Sequence, residues 1–264
     1  IRDRKNMKSI IEEFVTPGFI PSTISGVSRY HYTSIDSTQL EGRRVGPYIT
    51  PNTWYLCTAS EQTAGIGQHD RKWVSPEGVN VYATFGFTST EKDFKKLLCI
   101  PHITVLSVLQ TLEEFGVKAK FKWVNDSLVN GKKISGILVE NIGTSKNTGE
   151  GEEHKVFLVG IGINVNLEQD ELLKISQPAI SMYVATGDKF NVEKVVDVLA
   201  YSLHRNVDVL LSEGFSTLHK YLAPKLEDFH EQPIIFDREY GEMRYLVGKI
   251  SGLYPEYGLS LIHI

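Results

Sequence analysis

The sequence predicts an α+β protein: a mostly consecutive sheet with helices packed on it, followed after about residue 228 by a small β unit. Three observations carry that expectation. Short runs of β-branched and aromatic residues, bounded by glycine or polar positions, recur at 54–59, 80–88, 119–124, 134–141 and 155–166. Two longer segments, 101–116 and 191–214, instead place apolar residues three and four apart. Past Pro224 the helical pattern stops, and 233–236, 245–250 and 258–264 read as short strands around turns.

Taken in order, residues 8–15 fit a short helix that Pro17, Gly18 and Pro21 end. The strand at 54–59 runs straight into a polar, glycine-containing loop. In 101–116, Pro101 suits the first turn, Ile103, Leu106, Leu109 or Gln110, and Leu112 share a face, and Gly116 stops the helix. In 191–214, Asn191 is the cap and Val195, Val196, Leu199, Leu203, Val207 and Leu210 form the stripe. Both stripes need the sheet to cover them. Residues 143–153, rich in Gly, Ser, Thr, Asn and Glu between apolar runs, read as a long flexible hairpin loop, an exposed insertion and not a site.

The chain has 264 residues, enough for one large domain or one large plus one small. Its net charge of −4 and pI of about 6.1 provide no global basic field for nucleic acid or an anionic membrane. The longest apolar run, 156–163, is less than half of the ~20 residues that a membrane span needs. Cys57 and Cys99 lie far apart in apolar strings with no CxxC spacing, which fits a reducing, cytoplasmic compartment. The histidines show no zinc-ligand spacing, no G-x-S-x-G elbow exists, and neither cysteine sits in a polar loop. A covalent nucleophile from the protein is therefore unsupported.

Four segments can carry chemistry. In Glu61-Gln-Thr-Ala-Gly65-Ile-Gly67-Gln-His-Asp-Arg71-Lys-Trp73, the glycines let backbone N–H groups approach an anion, and Arg71 and Lys72 add positive charge. It is not a P-loop, because no Gly-Lys-Ser/Thr closes it; the competing reading is an ordinary hairpin anchored by Trp73. In Phe121-Lys-Trp-Val-Asn-Asp126, Lys122 inside an apolar strand should be paired or face a ligand. Asn125 and Asp126 there suit a purine base or hydrated Mg²⁺, or turn chemistry ahead of Asn130-Gly131. Lys133 precedes a strand in which Gly136 leaves room, and a lysine so placed either neutralises a reacting phosphate or is a solvated turn residue. Gly160-Ile-Gly162-Ile-Asn164 is half of a dinucleotide fingerprint, but the last glycine and the following helix are missing, so its glycines instead suggest close backbone approach to a ligand.

In this order and spacing, Ile35-Asp-Ser-Thr38, the segment from Gln62 to Trp73, Ser75-Pro-Glu-Gly78, Lys122-Trp-Val-Asn-Asp126, Lys133-Ile-Ser-Gly-Ile-Leu-Val-Glu140 and Gly160-Ile-Gly-Ile-Asn164 resemble the successive signatures of biotin protein ligases, from about residue 30 to the chain end. The resemblance implies a class II synthetase-like fold with a mixed, mostly antiparallel central sheet: a catalytic domain over 1–228 and a small SH3-like domain over 229–264. The latter ends at Ile264, before the family's last strands. It also implies a two-step reaction. Biotin and Mg-ATP give biotinyl-5′-AMP and pyrophosphate, and a lysine of a carboxylase's biotin carrier domain then takes the acyl group. An anion must attack a polyanion, so the site has to supply positive charge and preorganised donors.

Carried over position by position, Lys133 bridges the biotin carboxylate and the α-phosphate, and Arg71 assists it as the second catalytic residue. Ser37, Thr38, Gln39, Gln62 and Gly136, together with Gly65, Ile66, Gly67 and Gln68 of the closing loop, hold biotin. Arg71, Trp73, Lys122, Asn125, Asp126 and Asn164 serve ATP, Asp126 also serving Mg²⁺. About 30 residues precede the first motif, fewer than a winged helix-turn-helix needs, so the resemblance implies a ligase with no DNA and no membrane partner. The family's exposed sheet edge can pair with a carrier domain or a second subunit, which leaves a homodimer open.

The chain departs from the family pattern. Ile66 and Gln68 stand where the family loop has its first two arginines and Asp70 where it has its last glycine, which leaves Arg71 alone. In the family the second of those arginines helps to retain the adenylate, so weaker retention is expected. Val124 replaces a proline, a change in local stiffness. Two other readings stay in view: a lipoate or octanoate ligase of the same fold, against which Lys122-Trp and Gly136-Ile-Leu speak, and a biotin- or adenylate-binding pseudoenzyme or scaffold, motivated by the altered loop.

Overall fold

The structure, a computed structural model, describes residues 18–20, 26–123, 125–147 and 153–226, and the strand residues 234–236, 246–254 and 258–263. The helix expected at 8–15 lies outside them. Eight strands form one sheet: β1 (Gly18–Ile20), β2 (Val27–Ile35), β3 (Trp54–Gln62), β4 (Val81–Thr90), β5 (Lys120–Lys122), β6 (Asp126–Val129), β7 (Lys132–Thr144) and β8 (His154–Ile163), in the order β1-β2-β3-β4-β8-β7-β6-β5. The β2–β3 pair is parallel and the remaining neighbours are antiparallel. The five expected strands are present, mostly shifted by a few residues at their ends.

The helices are α1 (Thr38–Val45), α2 (Phe94–Leu97), α3 (Ile100–Glu114), α4 (Gln169–Leu172), α5 (Met182–Thr186), α6 (Val192–Glu213) and α7 (Phe215–Leu222). α3 is buried nearly all round, and its three hydroxyl residues are satisfied within the helix. Thr104, Ser107 and Thr111 each donate to the carbonyl four residues earlier at 2.8 Å. α6 shows the single apolar stripe its sequence predicts. Asn191 caps it, its side chain accepting from Lys194 N–H. The two helices are joined by Asn206, whose amide donates to Ser107 Oγ and Gln110 Oε1.

Strand alternation decides which face holds the site. Val81, Ala83, Phe85 and Phe87 of β4 and Phe157, Val159, Ile161 and Ile163 of β8 join α3 and α6 in one large core. The opposite face of the same strands carries Tyr82, Thr84, Gly160 and Gly162. There a smaller cluster of Val45, Tyr55, Cys57, Val156 and Leu158 seats α1.

β2 and α1 lie outside the sequence expectations. In β2 the alternation is masked by Arg29, which is 3% exposed only because Glu193 and Asp197 of α6 receive its guanidinium at 2.5 and 3.2 Å. The 143–153 segment does link antiparallel neighbours. Its near end is exposed at Gly143, Thr144 and Lys146, as expected, but is tied down at Ser145, which is buried and donates to Ile49 O at 2.9 Å. Beyond residue 228, β9 (Ile234–Phe236), β10 (Leu246–Tyr254) and β11 (Gly258–His263) form an antiparallel three-stranded sheet in the order β11-β10-β9. Among the described residues no helix is long and apolar enough to cross a membrane.

Candidate active site

The site is built where small residues line up across the sheet. Lys122, Asp126, Gly136, Gly162 and Tyr82 are successive register partners across five strands, and Leu138, Gly160 and Thr84 form the next row. The glycines remove side chains from that face and open a trough. The sequence suggests that a ligand approaches them; the structure shows that protein side chains do. A Cβ on Gly162 would come within 2.6 Å of Trp73 Cζ2 and Nε1, and one on Gly160 would overlap the Gln39 amide. The trough thus seats the Trp73 indole over Gly162 and Gly136 and the Gln39 amide over Gly160.

Above this floor lies a cavity of about 470 Å³. It is lined by Ser37, Thr38, Gln39, Gln62, Ile66, Gly67, Gln68, Trp73, Asn125, Lys133 and Gly136, and also by Tyr82, Thr84, Gly160 and Gly162. Nine of the ten residues expected at biotin are therefore brought together, from α1, β3, the loop and β7. Gly65 instead packs in the loop stem. Tyr82 and Thr84 were not anticipated. Their signal in the sequence is the polar member of the β4 alternation, which reads equally well as a solvent face.

A hydrogen-bonded string crosses the floor. Arg43 holds Glu140 through two contacts, at 3.0 and 2.6 Å, and Gln39 Nε2 donates to Glu140 at 2.8 Å. Burial alone would raise the Glu140 carboxyl, but the Arg43 and Gln39 hydrogen bonds outweigh it and hold the group below the usual carboxylate range. An ionised carboxylate only accepts, so Gln39 turns its Oε1 inward. Thr84 Oγ1 lies 3.2 Å from that oxygen and 3.0 Å from Thr38 Oγ1. Thr84 has one hydroxyl hydrogen for two acceptors. Thr38 N–H and Oγ1 in turn donate to Gln62 Oε1 at 2.9 and 3.2 Å.

A second cavity, of about 330 Å³, is lined by Lys72, Trp73, Val74, Lys133, Asn164, Ile175, Gln177 and Ala179. Trp73 and Lys133 border both cavities and so form the partition between them. Lys133 Nζ pairs with Asp126 Oδ1 at 2.7 Å and lies 5.4 Å from the Trp73 ring centroid. Its backbone is clamped, because its N–H donates to Pro178 O and its carbonyl accepts from Ile180 N–H, both at 2.9 Å. The Trp73 Nε1–H is buried without a hydrogen-bond partner among the described residues, an uncommitted donor at the junction.

The loop is an ordered hairpin. Ile66 pairs with Lys72, Gly67 N–H donates to Arg71 O at 2.7 Å, and His69 takes the left-handed conformation at the tip (φ 54°). Arg71 is exposed and borders neither cavity. Lys122 is likewise exposed, on an edge strand, and borders neither cavity. Asn125 ties the start of β6 to β7, its Nδ2 donating to Ile137 O at 2.8 Å, while still lining the first cavity. Asn164 donates to Ile180 O at 3.1 Å and lines the second. Burial pushes both cysteine thiols above their ordinary pKa, consistent with neither being a nucleophile.

The biotin/lipoate A/B protein ligase family matches this chain over residues 34–164, the stretch that holds the site. Within that class the chain is homologous to biotin protein ligases. It is 27% identical over 203 residues to a bifunctional ligase/repressor BirA of Bacillus subtilis, covering 75% of this chain and 59% of that protein. A biotin--[acetyl-CoA-carboxylase] ligase of Paracoccus denitrificans is 29% identical over 191 residues, covering 69% and 74%. The structure of an Aquifex aeolicus biotin protein ligase in complex with biotin and ATP superposes with a TM-score of 0.68 at 26% identity, over 90% of this chain and 96% of that one. The mixed sheet with helices on it is thus the biotin protein ligase fold.

Proposed function

We propose that the protein is an ATP-dependent biotin–protein ligase, with a catalytic unit over 1–228 and a small SH3-like unit over 229–264, which transfers biotin to a lysine of a carboxylase carrier domain. The observation that carries the choice of acid is the floor's shortage of donors: one Thr84 hydrogen faces two acceptors. A ring bearing N–H groups, as the ureido ring of biotin does, relieves that shortage. The dithiolane of lipoate offers none.

In the first step a carboxylate oxygen of biotin attacks the α-phosphate of ATP and pyrophosphate leaves. In the second, a carrier-lysine amine attacks the acyl carbon and AMP leaves. Lys133, bordering both cavities, neutralises the carboxylate and the phosphate as they meet. Trp73 and Asn164 flank the nucleotide side, and the hairpin excludes water from a hydrolysable mixed anhydride. Magnesium supplies charge to the phosphates. Asp126, the carboxylate paired with Lys133 Nζ at 2.7 Å, would hold it as a single protein ligand, in keeping with the general preference of Mg²⁺ for substrate phosphates and few protein ligands.

The test is to incubate the protein with ATP, Mg²⁺, an apo carrier domain and either biotin or lipoate, and to follow transfer by mass. Biotin transfer is expected. Lipoate transfer, or retained biotin binding without transfer, overturns the reading in favour of a lipoate ligase or a pseudoenzyme. Lys133→Ala should abolish pyrophosphate release with an unchanged fold, and an unchanged rate removes this lysine from the mechanism.

A further inference from the structure

The hairpin and the cavity floor meet at Ser75, a buried residue two positions beyond Trp73. Its hydroxyl donates to the Trp73 carbonyl at 2.9 Å and accepts from Gln62 Nε2 at 2.9 Å. A carbonyl can only accept, so the single hydroxyl hydrogen is committed to Trp73 and the hydroxyl must receive from Gln62. That orients the Gln62 amide, nitrogen toward Ser75 and Oε1 toward Thr38, and leaves the second Nε2 hydrogen for a ligand in the cavity that Gln62 lines. Gly65 closes the junction. A Cβ there would lie 2.5 Å from Trp73 O, 2.7 Å from Ser75 Oγ and 3.0 Å from Gln62 Nε2.

Ser75 is not what makes the hairpin a hairpin. Trp73 N–H to Gly65 O at 2.8 Å and Gly67 N–H to Arg71 O at 2.7 Å do that through the backbone alone. The hydroxyl adds a side-chain tie from the stem to the ligand-reading amide. We propose that Ser75 is a positioning residue that couples occupancy of the floor to closure of the hairpin. A ligand that engages Gln62 restrains its amide, the amide holds the Ser75 hydroxyl, and the hydroxyl holds the Trp73 carbonyl and the stem. Ile66, Gly67 and Gln68 then stay over the cavity they line. This rests on the reading of the cavity as the biotin site.

The experiment is hydrogen exchange of the amides of residues 63–74 with and without saturating biotin, with calorimetric titration confirming occupancy of each protein. Biotin should slow exchange in the wild type by about tenfold or more, and in Ser75→Ala by less than about threefold. Ser75→Thr, which keeps the hydroxyl, should restore the slowing, whereas a purely space-filling role would not distinguish hydroxyl from methyl in this way. Gly65→Ala breaks the junction from the other side and should reproduce the loss; it carries the test alone if Ser75→Ala does not fold. Full wild-type slowing in biotin-bound Ser75→Ala or Gly65→Ala overturns the coupling and leaves the functional reading standing. A wild type that binds no biotin overturns both.

Discussion

Placing a single methyl group at Gly162 tests the geometry of the partition most sharply. Its Cβ would overlap Trp73 Cε2 and stand 2.6 Å from Cζ2 and Nε1, whereas ordinary contact begins near 3.4 Å, so the indole must retreat by about 1 Å. The obstacle is a rigid ring and not the tip of a flexible chain, and β8 on the other side cannot yield without breaking its register with Tyr82 and Gly136. Displacement of a positioning group by about 1 Å costs roughly 100-fold in rate, near 2.7 kcal/mol of transition-state stabilisation. Gly162→Ala should therefore reduce kcat/KM for biotin-dependent pyrophosphate release by about that factor. The same overlap should cost folding stability by about 1 to 3 kcal/mol, as overpacking does, so the rate is read where the variant is shown to be folded. Gly136→Ala should be milder. Its Cβ would meet Trp73 Cζ3 at 2.9 Å and the movable Lys133 arm at 3.0 Å. A Gly162→Ala protein within about threefold of wild type, at unchanged thermal stability, refutes the claim that the indole position matters.

Two further outcomes can be checked. His102 packs between Phe121 and Phe215 with neither ring nitrogen hydrogen-bonded among the described residues, and burial lowers its pKa to about 4. The unfolded chain takes up that proton near pH 6.5, so the neutral ring's contribution is complete above that pH and is lost as pH falls toward 4. Urea unfolding should show about 2 to 3 kcal/mol of pH-dependent stability between pH 7.5 and 4.5 that His102→Leu lacks, and equal pH dependence in both proteins would rule the residue out. Gln68→Arg restores a cation to the cavity wall and should slow dissociation of biotinyl-5′-AMP by about tenfold; no slowing sinks the idea that the loop's lost charge weakens retention.

The five expected strands and the two long helices were legible because most of their apolar residues report their own burial. β2 was not, since burial of Arg29 depends on Glu193 and Asp197, which lie on a helix far along the chain. α1 was hidden for a related reason. It buries Thr38, Gln39 and Glu41, polar residues that survive there only because Gln62, Glu140 and Tyr32 receive or supply their hydrogen bonds. At the site, motif order located Lys133, Gln62 and the hairpin. It did not reveal Tyr82 or Thr84, whose exposure depends on which face of β4 receives α3, nor that Gly160 and Gly162 make room for Gln39 and Trp73.

The loop substitutions shift how closure must work. Arg71 is exposed and borders neither cavity, Lys72 lines only the second, and Ile66 and Gln68 present no charge to the first. Under the proposed function Lys133 is the lysine that borders both cavities, its backbone is clamped between Pro178 and Ile180, and its Nζ would exchange Asp126 for a carboxylate or phosphate oxygen. On that reading, holding the intermediate would fall mainly to the hairpin's ties, the Ile66–Lys72 pairing and the Ser75 junction. A loop anchored in this way retains its ligand only as firmly as its stem is held. The partly buried, directional hydrogen bonds at Ser75 and Gln62 should make ligand retention by this loop depend little on salt, so the off-rate of biotinyl-5′-AMP should change less than about threefold between low and high ionic strength.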